Sequence, residues 1–159
     1  HRYVVGMYFT DDLQEAMEIA NSKNSKLIFI SMQDEKFLGL SNTIENACFN
    51  HLLSEQLILV SRKNRARKAL EVASRAVSSI PGSILLIKSI EILFDRTLAI
   101  DPVRLMVECS KNKTLIVCWP GDKSQSTLSF AIPSHQEYRS YKISDLQDVV
   151  FLEINGQRS

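Results

Sequence analysis

The sequence predicts an α/β domain: a mostly parallel sheet of about five strands, flanked by helices. Apolar runs of roughly four to six residues recur along the chain, and such runs are typical of strands buried on both faces. They alternate with segments of helical apolar spacing, which favours parallel pairing with helices packed on the sheet. With 159 residues, 45% of them hydrophobic and 23% charged, the chain fits one domain, 1–159, that buries its own core.

The first predicted elements are a helix, a central strand and a second helix. Residues 10–21 place their apolar side chains on one helical face, and two aspartates stand at the favourable amino end. Residues 26–31, KLIFIS, form the predicted central strand, and 32–38 is a polar loop after it. The next helical pattern carries these apolar residues on one face: Ile44, Ala47, Cys48 and Leu52.

A second buried strand is predicted over 57–60, whose sequence is LILV. A basic segment, 61–75, then passes into a helix over 69–78. Pro81-Gly82 ends that helix, because proline cannot continue the hydrogen-bond ladder and glycine favours a turn.

Three further apolar runs complete the predicted sheet, at 84–87, 114–119 and 149–154. Between the first two of them, Asp101-Pro102 opens a helix through Val107, since proline is well tolerated in the first helical turn. Strands and helices therefore alternate to the end of the chain.

Charge and cysteine content limit the classes of function that we expect for this protein. With 19 Lys and Arg against 18 Asp and Glu, the net charge of +1 provides no global field that would draw the protein onto nucleic acid or membrane. No apolar run approaches the roughly 18 residues of a membrane span, and the amino terminus is no signal peptide, so we expect a cytoplasmic protein. The three cysteines lack metal-site spacing, so we expect no metal and buried thiols in a reducing compartment.

The loop after the central strand is where a parallel α/β domain usually binds its ligand. A phosphate loop has the pattern G-x-x-x-x-G-K-[ST], in which backbone amides and the lysine hold the phosphates. In residues 34–41, Gly39 and Ser41 match the pattern, but Asp34 replaces the first glycine and Leu40 replaces the lysine. The loop is therefore either a degenerate phosphate loop or a plain connection between a strand and a helix.

The strand 84–87 should end in an acidic residue if it completed a magnesium-nucleotide site, but it ends in Lys88. Lys88 could form an ion pair with Asp34 or Glu35, and Glu91 could stand in as the acid. A degenerate pocket would thus contain Gly39, Ser41, Lys88 and Glu91. We expect no cofactor there, with ATP and magnesium as the alternative.

A basic segment is the one strong charge cluster in the sequence. Five of the seven residues from 62 to 68 are cationic: Arg62, Lys63, Arg65, Arg67 and Lys68. They could contact DNA phosphates without reading sequence. They could equally form a solvated helix start or face an acidic partner, because no aromatic residue is interleaved to stack on bases.

Other candidate residues give weaker signals. His51 lies in the second helical pattern, and His135 lies beside Glu137 in a loop, but no serine or cysteine nucleophile is placed near either, so we predict no catalytic residue. Trp119, before Pro-Gly at a strand end, is either a core residue or an exposed anchor at an interface.

Several blocks between Ser83 and Tyr141 carry a family resemblance. They are 84–95 (ILLIKSIEILFD), 101–105 (DPVRL), 110–114 (SKNKT), 119–121 (WPG) and 133–139 (PSHQEYR). This region, a little over a third of the chain, resembles the small P-loop-containing protein of type 3 bacteriophage-exclusion (BREX) systems.

The resemblance implies a compact P-loop ATPase domain with a RecA- or AAA-like core, an intact phosphate loop and a strand that ends in Asp-Asn. This sequence departs from both motifs, through Asp34 and Leu40 in the loop and through Lys88 at the strand end. The resemblance thus implies a fold and a phage-defence setting rather than ATP hydrolysis. It also makes Trp119, His135 and Tyr138 candidate interaction residues, because the blocks that contain them are retained.

We therefore expect a non-hydrolysing, P-loop-like binding or scaffold subunit of a prokaryotic phage-defence complex. Its partners would be other defence proteins or copies of itself, and no membrane. One alternative is a nucleotide-binding ATPase whose pocket is completed by a neighbouring subunit, through residues such as Arg104, Lys111 or Lys113. The other is a sequence-independent DNA-binding module with DNA as its partner.

Overall fold

The computed structural model of the chain describes residues 6–34, 39–132 and 134–153. The strands in that part of the chain are β1 (Tyr8–Thr10), β2 (Leu27–Ser31), β3 (Asn46–Cys48), β4 (Ile84–Lys88), β5 (Thr114–Trp119), β6 (Asp122–Lys123), β7 (Thr127–Phe130), β8 (Arg139–Lys142) and β9 (Val149–Leu152). The helices are α1 (Leu13–Asn21), α2 (Phe49–Leu57), α3 (Arg65–Ser79) and α4 (Pro102–Cys109).

Two sheets organise these strands. The larger one has six strands in the order β1-β9-β2-β5-β4-β3, and every neighbouring pair in it is parallel. The smaller one is the antiparallel sheet β6-β7-β8. The predicted α/β class with a mostly parallel sheet is confirmed, and the predicted central strand is β2, which pairs with β9 on one side and with β5 on the other.

The large sheet is buried on both faces. Strand side chains alternate between the faces. On one face, here called the α1 face, Ile28, Ile30 and Leu86 pack with Ala16 and Ala20 of α1. The opposite face, here called the α3 face, is covered by α2, α3 and α4. Residues Leu27 to Ile30 of β2 are therefore fully buried, which explains why this strand reads as an unbroken apolar run.

Capping side chains fix where the helices begin and end. Asp12 accepts a hydrogen bond from the Gln14 amide at the start of α1 (3.1 Å), which satisfies one of the free amides of the first turn. Asp101 does the same for Val103 at the start of α4 (3.1 Å), with Pro102 in the first turn. The Lys113 ammonium donates to the Val77 carbonyl at the end of α3 (2.7 Å).

The small sheet docks on the α3 face through Trp119 and Gly121. The Trp119 indole is 2% exposed, donates Nε1–H to the Ser129 carbonyl (3.0 Å) and packs against Phe29 and Phe94. A Cβ on Gly121 would lie 1.8 Å from the same Ser129 oxygen, so only glycine allows the chain to pass so close. The Trp-Pro-Gly block is thus the junction between the two sheets.

Two sequence predictions around the edge of the sheet are wrong. Residues 57–60 do not form a strand: Leu57 ends α2, and Ile58 and Leu59 are 74% and 87% exposed. The edge strand is instead β3, which the sequence had placed in a helix that really begins at Phe49. A three-residue edge strand that pairs only with β4 needs no apolar run, so the pattern gives it no signal.

The sheet therefore has six strands where about five were predicted. The short strands β1, β6, β7 and β8 carried no strand signal, because they are two to four residues long and half-exposed. The predicted helix over 69–78 is present but begins earlier, at Arg65.

Stability should fall at alkaline pH through Tyr141. Its hydroxyl donates to Asp101 Oδ1 (2.8 Å), and burial, followed by the Asp101 charge, raises the pKa of the tyrosine. Above about pH 10 the unfolded chain loses this proton while the folded chain keeps it, so the free energy of unfolding decreases as pH rises. Urea unfolding between pH 9 and 11 should show a shallower decrease in Tyr141→Phe than in the wild type.

The matched control is Tyr138→Phe, which leaves the Tyr141 hydroxyl in place and should keep the wild-type slope. Equal slopes in the wild type and in Tyr141→Phe would contradict the assignment of the alkaline loss to this hydroxyl.

Candidate functional site

The described residues directly after β2 turn back toward the end of that strand. Ser31 ends β2, and its Oγ accepts a hydrogen bond from the Asp34 amide (3.1 Å). Residues 32–34 are helical, and Asp34 is 1% exposed. The carboxylate that replaces the first glycine of a phosphate loop is therefore buried within the fold, where a triphosphate would need open space and amide donors.

Leu40 is a core residue. It is 5% exposed and packs on the α1 face with Ile28, Ile30 and Leu86 of the sheet. In a phosphate loop this position carries the lysine that reaches the β and γ phosphates. Here the side chain points into the sheet, so the position is occupied by hydrophobic packing instead of phosphate chemistry.

The backbone around Leu40 also lacks the helix that follows a working phosphate loop. Gly39 has a left-handed conformation (φ 65°), and Leu40–Asn42 is a single 3-10 turn that leads to β3. The described residues between Gly39 and β3 thus offer no helix amino terminus for an anion. Residues 35–38 and the side chain of Ser41 lie outside the described part of the chain, and so does the Glu35 half of the predicted ion pair.

Lys88 stands on the same side of the sheet as this loop. Side chains alternate along β4, so Lys88 shares the α1 face with Leu86, and it is half-buried beside Cys48 of the edge strand. The position is compatible with the predicted ion pair to Asp34 or Glu35, which stays a prediction. An ammonium group here cannot coordinate magnesium.

Glu91 bonds to the first turn of α2. Its carboxylate accepts from the Asn50 side-chain amide (3.2 Å), and Asn50 Oδ1 in turn accepts from the Ile92 amide (2.7 Å). Asn50 also donates its backbone amide to the Ser89 carbonyl (2.8 Å). This reciprocal set ties the first turn of α2 to the turn after β4, so Glu91 has a structural role at the start of α2.

Taken together, these residues do not fit a magnesium nucleotide. The loop has a buried carboxylate and a buried leucine where it needs amides and a cation, and the strand end has a cation where it needs an acid. Within the described ranges, no group of three or more His, Cys, Asp or Glu side chains could hold a metal ion.

The basic residues lie on one turn and one helix start. Arg62 and Lys63 are exposed in a 3-10 turn, and Arg65 begins α3 and donates Nε–H to the Val60 carbonyl (2.9 Å). Arg67 and Lys68 both pair with Glu71 (3.2 Å each).

Glu71 partly neutralises the helical part of this cluster. Arg75 approaches the same carboxylate (3.7 Å), and the hydrogen bond and charge of Lys68 are the main cause that lowers the pKa of Glu71. Arg62 and Lys63 are the exposed cations of this cluster that do not pair with Glu71.

The three candidate interaction residues lie in different environments: Trp119, His135 and Tyr138. Trp119 takes the core interpretation, since it is buried at the junction of the two sheets. His135 is exposed in the loop between β7 and β8, where its Nδ1 accepts from the Glu137 amide (3.0 Å). This bond holds the turn, and it uses the backbone rather than the carboxylate of Glu137. Tyr138 is half-buried in the same loop.

Three residues were predicted to complete the nucleotide pocket of a neighbouring subunit: Arg104, Lys111 and Lys113. They lie toward the amino edge of the parallel strands, opposite the edge that carries the loop after β2. Lys113 caps α3, as described above. Arg104 and Lys111 line an open cleft of about 550 Å³, together with Tyr141. Ser25 also lines this cleft, and its buried hydroxyl has no hydrogen-bond partner among the described residues. The cleft carries both acidic and basic side chains: Asp101, Arg104, Glu108, Lys111, Asp145 and Asp148.

The residues that sequence reasoning missed are Ile58 and Leu59. Their apolar run favoured a buried strand, but the spacing of Phe49, Leu53 and Leu57 on the buried face of α2 already accounts for the core there. Ile58 and Leu59 fall beyond that face. The helical period of α2, extended to its end, was the signal that could have identified them as exposed.

Comparisons with known proteins give no relative for this geometry. The chain matches no family model, no curated protein and no solved structure. Across the described residues, no helix is long and apolar enough to cross a membrane.

The three cysteines differ sharply, and the expectation that all are buried is wrong for Cys48, which is exposed at the edge strand. Cys109 and Cys118 are buried, and burial raises the pKa of Cys109 to about 11. Because the thiolate is the reactive form, we expect one thiol to react rapidly with Ellman's reagent at pH 8 in the native state and three in urea.

Cys48→Ser should abolish the fast native reaction, whereas Cys109→Ser should leave it unchanged. A fast native reaction that persists in Cys48→Ser would contradict this assignment of exposure.

Proposed function

We propose that this protein is a P-loop-NTPase-like domain that does not hydrolyse nucleotide and acts as a binding or scaffold subunit of a prokaryotic phage-defence complex of the BREX type. The observation that carries the first part is the burial of Leu40 in the core at the position of the phosphate-binding lysine. The defence setting rests on the sequence blocks between residues 84 and 139.

The strand order supports a RecA- or AAA-like core. As the resemblance implies, such a core has a mostly parallel sheet flanked by helices, with a phosphate loop and a strand that ends in an acidic residue. Here β5 lies between β2 and β4, and β9 lies on the other side of β2. The resemblance compares the loop after β2 with a phosphate loop and the end of β4 with an acidic strand end, and Asp34, Leu40 and Lys88 depart from those motifs.

The alternative of an ATPase completed by a neighbouring subunit is weaker. A second subunit could supply a cation, but it could not remove the buried Asp34 carboxylate or free the Leu40 side chain from the core. Lys113, one of the candidate donors, is already engaged by carbonyls at the end of α3.

The DNA-binding alternative is also weaker than the sequence suggested. Of its five cations, Arg67 and Lys68 share Glu71, and Arg65 is bonded to a backbone carbonyl. The two most exposed apolar side chains, Ile58 and Leu59, directly precede the cluster, and a phosphate backbone offers them no partner.

A thermal-shift titration with Mg-ATP tests the non-hydrolysing part of the proposal. A ligand at 100 times its dissociation constant stabilises the folded state by about 2.7 kcal/mol, which would raise the melting temperature by several degrees. We expect no shift at millimolar Mg-ATP and no phosphate release. A saturable shift, lost in a variant of the loop after β2, would contradict the proposal.

The defence setting is tested in a host that carries the complete defence locus. Deletion of this gene should abolish protection in a plaque assay, and Lys88→Ala should restore protection as well as the wild type does, because no nucleotide chemistry depends on it. Full protection in the deletion strain would contradict the assignment.

A further inference from the structure

The tip between α2 and α3, residues 58–64, carries the two most exposed large apolar side chains of the described residues. Ile58 and Leu59 are 74% and 87% exposed, the highest values among the large apolar side chains there. Scattered single apolar residues on a surface are ordinary, but two adjacent ones beside a groove are typical of a contact site.

The tip is held in place by hydrogen bonds, so the exposure is a property of the fold. The Val60 amide donates to the Leu57 carbonyl (3.0 Å), and the Val60 carbonyl accepts from Arg65 Nε (2.9 Å). Asn64 adds a bond from its side-chain amide to Ser61 Oγ (3.0 Å). A preorganised surface of this kind loses little conformational entropy when a partner binds.

A groove of about 240 Å³ lies beside the tip, between α2 and the turns that follow β4. Its apolar walls come from Leu57, Ile58, Ile92 and Leu98. This is room for one or two large apolar side chains, and the groove adjoins the tip through the side chain of Ile58.

Positive charge borders the groove and the tip. Arg62 and Lys63 are exposed directly after the tip, and Arg65 lines the groove itself. Asp95, the carboxylate that lines the groove, accepts from the amide and the hydroxyl of Thr97 (2.8 Å each). Those bonds, and after them the charges of Arg65 and Arg62, lower the pKa of Asp95, which shows that both arginines lie close to the groove.

We propose that this surface, here called the Ile58 surface (Ile58, Leu59, Arg62, Lys63, Arg65 and the groove), binds an acidic segment of a partner protein. The segment places one large apolar side chain in the groove, packs against Ile58 and Leu59, and sets its carboxylates against Arg62 and Lys63. The inference rests on the proposed scaffold function and names the chemistry of the partner.

Charge complementarity selects this occupant over the two other macromolecules that cations attract. Duplex DNA would meet the cations with phosphates but would leave two aliphatic side chains facing charged oxygen atoms. A lipid surface would accept the tip but not the groove, which is concave and carries the Asp95 carboxylate at its wall. A protein segment with both acidic and apolar side chains fits the groove, the two exposed aliphatic side chains and the cations beside them.

Selection from a display library of random 16-residue peptides tests the proposal, with the Ile58→Ser/Leu59→Ser variant used for counter-selection. We expect enriched peptides with net negative charge and at least one Leu, Ile, Phe or Trp. By fluorescence polarisation, Ile58→Ser and the pair Arg62→Glu/Lys63→Glu should each weaken their binding at least tenfold. Both changes lie on exposed side chains, so the variants should keep the wild-type melting temperature.

Matched controls are Ile132→Ser and Lys142→Glu, which alter an exposed apolar residue and an exposed cation elsewhere and should leave peptide binding unchanged. The proposal is overturned if no peptide depends on Ile58, if the enriched peptides lack acidic residues, or if the same variants abolish binding to duplex DNA or to vesicles of phosphatidylserine. The Mg-ATP titration concerns the loop after β2, so the two proposals can fail separately.

Discussion

The complete burial of β2 on both faces is the constraint on which the rest of the molecule depends. Among the described residues, α2, α3 and α4 cover the α3 face, whereas α1 contributes only two buried alanines to the α1 face. Leu40 and, more loosely, Ile44 add to the cover of the α1 face. A loop that has to cover hydrophobic surface cannot at the same time present open amides to a phosphate. The burial of Leu40 on this face therefore disfavours phosphate binding at that position.

The residues that hold the fold together are distinct from those that remain exposed for contact with a partner. Trp119 and Gly121 are used to dock the small sheet, Glu91 to hold α2, and Lys113 to cap α3, so these residues are committed to the fold. The tip after α2 is different, because its backbone is held while its two apolar side chains remain in solvent. Surfaces of this kind serve recognition, since burying them on binding gains hydrophobic free energy without reorganisation of the backbone.

The sequence patterns correctly predicted the strands that are buried on both faces and the helices whose apolar residues are regularly spaced. The runs at β2, β4, β5 and β9 were recognisable because both faces are buried, and α1 and α4 because apolar spacing and capping residues agreed. The edge strand β3 and the small sheet were missed, since pairing with a neighbour, rather than their own composition, makes them strands. The loss of phosphate chemistry at Asp34 and Leu40 stays a prediction, and the burial of both side chains is in keeping with it. Three features depend on tertiary contacts that residue spacing cannot show: the burial of Leu40 in the core, the bond of Glu91 to α2 and the exposure of Ile58.

The most direct test of the account is to rebuild the loop. In the variant Asp34→Gly/Leu40→Lys, the phosphate-loop residues are restored but an ammonium replaces a core leucine. The account predicts a loss of about 2–5 kcal/mol in the free energy of unfolding, measured in urea, with no recovery when millimolar Mg-ATP is added. A variant that keeps the wild-type stability and is further stabilised by Mg-ATP would contradict it, because the position would then be an open phosphate site and not part of the core.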